Sequence, residues 1–580
     1  MRVYLYAVLF VLVPAFANAM TLEQAVGWQF PEATYETART DMAYAEGLKK
    51  VVGPKRANTV KLSGPADLNQ NDTEYILESD VVADETAFTV KASHVTLNLN
   101  GHKVIYNNTS NKGGGVIQTD WNNPRDFVLI NGEIEQGPGG GSGDAYGKGP
   151  NPVFLLSVDP VELAGLKISY WGDNLAGIFV YRAHKGDDIH NNEIIDKGTV
   201  VTDRHSGVAV VRVNGAGVVV RHNVIRGARQ IGIRSLQKSE IHHNEVHVDS
   251  QVTNSTAIAC AAGEVHHNKI VGRGVHPIGI WPGTGTKVYT NYVDVQNTKP
   301  GDEFGSTGSA CVRFGWGKTQ DVDIEGNLFV VKAEKDFFKK TFVSNKYPDS
   351  WGRAVFVGLG EGQKALFKNN IIIAYNQGNG AKAAAVGLVF NNKSSGLVFE
   401  ENLIASNWGN VLLSDLYGHC EGYPLFKDNV MAKLDGGKDY HTIRGQYDKF
   451  VSTGRFLNNQ YMDGAAQDDV KIDTGNQALQ EIIYCRAVTL KAGPQCSGEA
   501  YTVNVVDQMK NVIWSVGGKC GEETKVDVPY LLFTNRDGNT LGREMEKKAP
   551  GGWGLLVQHK DKTFEVSLPQ EGVDSVDLPF

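Results

Sequence analysis

Cysteine and methionine are scarce in this chain, at six and seven among 580 residues. Six cysteines are too few to staple so long a chain as a disulfide scaffold, and no pair has the Cys-x-x-Cys spacing of a structural zinc site. Cys485 and Cys496 bracket a short segment and are expected to close a loop in an oxidising compartment. Cys260 and Cys311 stand inside strand patterns and are expected as buried thiols. Long apolar runs are also missing, because no segment after the N-terminus reaches the roughly 20 residues of a membrane span. Helical periodicity is absent from most of the chain. A net charge of −8 offers no general attraction to nucleic acid, so polyanion binding requires a local basic patch.

The first nineteen residues read as an export signal. Arg2 supplies the positive start, Val3 to Ala15 the apolar stretch, and Ala17-Asn18-Ala19 the small-x-small cleavage site. The mature chain is expected to start near Met20 and to be secreted, whether periplasmic or extracellular. It carries 66 glycines and many short Val/Ile runs, a balance suited to an all-β chain with many turns.

One repeat dominates: an asparagine, one further residue, then an aliphatic residue in a short strand. It appears as His190-Asn191-Asn192-Glu193-Ile194, His222-Asn223-Val224-Ile225, His243-Asn244-Glu245-Val246 and His267-Asn268-Lys269-Ile270. It continues at Asn291, Asn327, Asn370, Asn402 and Asn429, while glycine takes the turn in Asn131-Gly132 and Ala164-Gly165. Asn and Gly tolerate the left-handed backbone of a corner, and stacked asparagines can form an amide ladder. The shortest spacings are 21 (Asn223 to Asn244), 23 (Asn268 to Asn291) and 24 residues (Asn244 to Asn268), about one solenoid coil. Longer spacings place insertions near 195–206, 295–308, 331–352 and 376–384, all at one corner, which is where a solenoid usually binds its ligand.

This pattern resembles the right-handed parallel β-helix family with pectate-lyase-like repeats, across about residues 60–460. The expected architecture is all-β: residues 20–60 as an N-terminal capping segment with a short helix over Glu36–Val51, 61–460 as β-helix, 461–496 as linker, and 497–580 as a small β-sandwich. The resemblance implies a carbohydrate partner, since the family contains polysaccharide lyases, uronan epimerases and inverting glycoside hydrolases beside noncatalytic surface proteins. The Asp-Pro-His-Asp signature of one alginate epimerase family, the polygalacturonase aspartate set and the pectate-lyase calcium cluster are absent, and Asp187-Asp188 alone does not replace them.

Aligning the strands after the insertions sets Arg212, Arg234, Trp281 and Arg313 outward on one sheet, with Val, Ile and Cys260 inward. Arginine forks hold carboxylate or sulfate, tryptophan supplies a flat face for a sugar ring, and coils about 4.8 Å apart space them along the axis. Just before these strands lie Arg204, His205, Arg229, His276 and Arg353. The chemistry expected is C5 proton abstraction from a uronate by His205 or His276, with Arg204 beside them and Arg212, Arg234 and Arg313 clamping the carboxylate. Arg229 and Arg353 are further substrate-binding candidates, and Asp302 and Glu303 are candidate Ca²⁺ ligands. Lyase chemistry is preferred because cationic residues outnumber paired acids. An inverting hydrolase would use Asp203 with Asp302 or Glu303, and a noncatalytic glycan-binding β-helix is the remaining alternative. The histidines before the ladder asparagines (His222, His242, His243, His266, His267) are read as corner or stacking residues, with a metal site as the alternative.

Overall fold

The computed structural model describes residues 19–580 except 32, 120–122, 145–148, 200, 202–207, 253, 300–307, 316–318, 334–350, 378–381, 389–391, 414–419, 438, 446–450, 473–477 and 538–539. Short strands follow one another around a three-faced parallel β-helix. Each strand pairs in parallel with the equivalent strand one coil on: Ala209–Val213 with Ile231–His242, that strand with Thr256–His266, and that in turn with Ile278–Pro282. Among the described residues no helix is long and apolar enough to cross a membrane.

The inward positions are aliphatic or aromatic and closely stacked. Phe367, Phe399, Phe426 and Phe456 lie ring over ring, with successive centroids 4.6, 4.8 and 4.9 Å apart. These spacings equal the strand repeat, so the stack follows from placing the same residue at the same position of successive coils.

The asparagine ladder runs unbroken through ten coils. Its side-chain amides donate from Asn192 to Asn223, Asn244, Asn268 and Asn291 at 2.9–3.0 Å, and on through Asn327, Asn370, Asn402 and Asn429 to Asn459. One detail differs from the expectation. The left-handed conformation belongs to the residue before each ladder asparagine: Asn191, His222, His243, His267 and Thr290 have φ between 50° and 54°. The ladder residue must aim its side chain along the axis, so the preceding residue makes the bend.

The N-terminal segment is not helical over Glu36–Val51. The described helix is Leu22–Val26, closed by a Thr21/Gln24 capping box. From there an extended strap runs back along the outside of the solenoid. Met20 pairs with Leu434, the Ala38 amide donates to Gly326 O at 2.8 Å, the Gly47 amide to His222 O at 3.2 Å, and the Val51 amide to Asn131 Oδ1 at 2.7 Å. Its backbone groups find partners at the coil corners, which leaves no advantage in an internal helix.

At the far end, Gln480–Lys491 lies in the stretch read as a linker. It pairs in parallel with Ser452–Leu457 and antiparallel with Glu523–Asp537, so one sheet joins the solenoid to the C-terminal region. A four-stranded antiparallel sheet packs against it through Val488, Leu490, Val526 and Val528 on one side and Val503, Val505, Leu555 and Val557 on the other. A buried ion network sits at this junction. Arg536 Nη2 lies 3.3 Å from Glu481 and 3.2 Å from Asp507, and the Tyr423 hydroxyl donates to the other Glu481 oxygen at 2.8 Å.

The disulfide joins Cys496 to Cys520, not to Cys485, which is a buried thiol. The register of the hairpin between them, with Ala500 opposite Lys519, brings both cysteines to its open end. Reduction, or Cys520→Ser, is expected to destabilise the C-terminal unit by about 3 kcal/mol for a crosslink spanning 24 residues. Denaturant unfolding with and without reductant, followed by tryptophan fluorescence with a Trp514→Phe variant to mark the share of the C-terminal unit, checks this.

Candidate functional site

The strands after the insertion corner carry one outward column along the axis. Phe179 stands opposite Arg212, Arg212 opposite Arg234, Arg234 opposite Ala259, and Ala259 opposite Trp281. Ile280 pairs with Val312, which sets Trp281 beside Arg313, and Arg313 faces Phe356. The inward partners in this register, Val211, Ile233, Ile258, Ile280, Val312 and Val355, are fully buried. The alternation puts cationic and aromatic side chains on one face at strand spacing.

These arginines are outward but not open to solvent. Arg212 is 8 % exposed and Arg313 1 %, while Arg234 and Trp281 are half-buried. Their guanidinium groups lie over rings: Arg212 4.7 Å from Phe179, and Arg313 5.4 Å from Trp281 and 5.2 Å from Phe356. Arg353, 1 % exposed, lies 4.9 Å from the same Phe356 ring. Burial pushes the Arg313 pKa down to about 9, and the neighbouring charge of Arg353 adds to the fall. Burial, then the charge of Arg234, likewise lowers that of Arg212. Two like charges on neighbouring rungs raise each other's energy, and an anion alongside relieves it.

The corner residues separate into three groups. Arg229 is committed to structure: its Nε donates to Asp196 Oδ2 at 2.9 Å and its Nη2 to Gly172 O at 2.8 Å. A β-carbon on Gly198 would come within 2.1 Å of this guanidinium, so glycine leaves the room that Arg229 fills. The adjoining cavity of about 20 Å³ has room for about one water. His276 is 1 % exposed with φ of 41°, and its amide donates to Asn297 Oδ1 at 3.2 Å. Asp203, Arg204, His205, Asp302 and Glu303 lie outside the described residues, in the segments between Asp196 and Ala209 and between Asn297 and Ser309.

Sequence reasoning stopped this column short at both ends. Phe154 and Phe179 precede Arg212, their ring centroids 5.3 Å apart, and beyond Phe356 the register passes Gly387 and Leu412 to Arg444, which lies 4.2 Å over the Trp408 ring with Nε donating to Trp408 O at 3.0 Å. The Ile178-Phe179-Val180 and Ile443-Arg444 patterns match the alignment that found Arg212 and would have revealed Phe179 and Arg444.

A second cluster lies at the ladder corner. His242 stacks on His266 with centroids 4.8 Å apart, His243 on His267 at 4.9 Å, and His266 on Tyr289 at 4.6 Å. Burial pushes the pKa of His242 and His266 down to about 3 and that of His243 to about 4, with neighbouring imidazoles adding to each shift.

No family model, curated protein or solved structure matches the chain.

Proposed function

We propose that this is a secreted carbohydrate-active protein of the pectate-lyase-like kind, which binds an acidic polysaccharide along the Arg–aromatic column. The observation that carries the reading is the register Phe179–Arg212–Arg234–Ala259–Trp281–Arg313–Phe356, which repeats charge and ring at the rise of one coil. Arg234 and Trp281, the half-buried members, are the contacts assigned to the sugar chain. The reaction proposed is removal of the C5 proton of a uronate, with His205 or His276 as base and the arginine forks stabilising the carboxylate-derived enolate. A Ca²⁺ ion at Asp302 and Glu303 would add to that stabilisation.

A second reading is favoured by a separate observation: Arg313 and Arg353, each 1 % exposed, flank the Phe356 ring as packing elements. On that reading the column stiffens a noncatalytic glycan-binding β-helix.

The experiment is a panel of acidic and neutral polysaccharides, read by calorimetry for binding and by the ultraviolet absorbance of an unsaturated uronide for elimination. Arg234→Ala and Trp281→Ala are each expected to weaken binding of an acidic chain about tenfold, or ~1.4 kcal/mol, within the range for single anchors. Absorbance that rises with wild type and not with His276→Ala or His205→Ala supports elimination. Unchanged chain length with altered uronate composition supports epimerisation, and binding with no absorbance, no new reducing ends and no change of composition supports the noncatalytic reading. Binding unaffected by either column variant sinks both.

A further inference from the structure

The histidine corner has a feature that ring stacking does not require. His242 Nδ1 and His243 Nδ1 approach to 2.8 Å, and one coil on His266 Nδ1 and His267 Nδ1 approach to 2.9 Å. Two imidazole nitrogens facing each other at this distance need a positive centre between them, either a proton or a metal ion. Ligating nitrogens of His242, His243 and His266 all lie within 4.8 Å of one another.

The surroundings select which nitrogen is presented. Glu240, two residues before His242 on the same strand, places Oε1 3.4 Å from His266 Nε2 and 3.6 Å from His242 Nε2. A carboxylate on the far nitrogen of a histidine fixes its tautomer, leaving Nδ1 as a lone pair and strengthening it as a ligand. Behind the rings, Tyr289 covers His266, and Tyr35 of the N-terminal strap stacks on Tyr289 with centroids 4.3 Å apart. The left-handed backbone of His243, at φ 51°, turns its ring back toward His242.

We infer that His242, His243 and His266 form a site for a divalent transition-metal ion of the zinc–copper class, with Glu240 as the positioning carboxylate. The ion takes the place of the proton between His242 Nδ1 and His243 Nδ1, and His266 joins it through Nδ1 by giving up its contact with His267 Nδ1. An all-imidazole set suits this class and disfavours Ca²⁺ or Mg²⁺, which take oxygen. Two bonds of about 2.0 Å at the right angle of a square-planar ion place their nitrogens about 2.8 Å apart, the separation already present, whereas a tetrahedral ion needs about 3.3 Å, so Cu²⁺ is expected to bind more tightly than Zn²⁺. The site lies on a different face from the Arg–aromatic column, since Arg234 and His242 stand at opposite ends of the strand Ile231–His242. Metal binding is therefore independent of polysaccharide binding.

The test uses the full mature chain with any affinity tag removed, stripped with chelator. It is titrated separately with Zn²⁺ by calorimetry and with Cu²⁺ by electron paramagnetic resonance. The expected result is one ion per chain, with nitrogen hyperfine structure for Cu²⁺. His266→Asn is expected to abolish the site. Glu240→Gln, a partly exposed position whose change leaves packing intact, is expected to weaken it about 10- to 100-fold. Arg234→Ala is expected to leave it unchanged. Circular dichroism confirms that the variants fold. No saturable binding of either ion tighter than about 100 μM, or equal binding by wild type, His266→Asn and Glu240→Gln, overturns the inference.

Discussion

Arg536→Met is expected to cost about 3–5 kcal/mol, because it strands two buried carboxylates that share one guanidinium. Glu481 is 1 % exposed and Asp507 fully buried, and Arg536 reaches both. Burial holds the Glu481 carboxyl above its ordinary range, and Arg536 opposes that rise. Removing the arginine raises its folded pKa further from the unfolded value. A group with a raised folded pKa contributes stability at low pH that is lost as pH rises through that pKa, so the variant's deficit should be largest near neutrality and shrink toward pH 5. Urea unfolding of both proteins across this range measures it. A deficit below about 1 kcal/mol, or one that grows on acidification, would show that the carboxylates do not depend on Arg536. The effect reaches beyond one pair, since Glu481 lies in the strand shared by the solenoid and the C-terminal sheets.

The second large effect is expected from Asn268→Ala. Asn268 is fully buried; its Oδ1 accepts from the Asn244 amide and side chain, and its Nδ2 donates to Ile241 O, His266 O and Asn291 Oδ1. Alanine leaves the Asn244 donors and the Ile241 carbonyl without this partner in a dry interior. At about 1–3 kcal/mol for each stranded group, partly relieved by relaxation, the loss should be about 3–5 kcal/mol. Asn268→Asp should lose nearly as much, because a carboxylate accepts as before and cannot donate to Ile241 O. A shift of the unfolding midpoint no larger than that of an exposed substitution such as Lys287→Ala would show that the ladder is ornament and not support.

What could be read in advance follows from which features leave a local trace. The ladder leaves a local motif, an asparagine with an aliphatic residue two positions on, which marks the rungs up to Asn429 despite irregular spacing, and Asn459 escapes it because Tyr461 stands at the aliphatic position. The position of the left-handed residue was misplaced by one, because Asn191 and Asn192 are alike in sequence and only the hydrogen bonds distinguish corner from rung. The outward direction of Arg212, Arg234 and Arg313 follows from alternation, but their burial does not, since it depends on what packs outside the sheet. The strap before Asn58 has no period because its partners are coil-corner groups far along the chain, from Asn131 to Lys433. The disulfide was drawn to Cys485 by closeness in sequence, whereas the hairpin register selects Cys520.

That strap has a consequence for how the chain assembles and comes apart. Coils that touch only their neighbours would fray one at a time from either end. Here Met20 is bonded to the coil of Leu434 and Val51 to the coil of Asn131, so a single early segment is fastened to coils laid down much later. Synthesised before the coils, it can settle only when the winding is nearly done, and it then ties the fate of distant coils together. The fibre-like body is thereby expected to melt as one cooperative block, with the strap's docking as its last folding step.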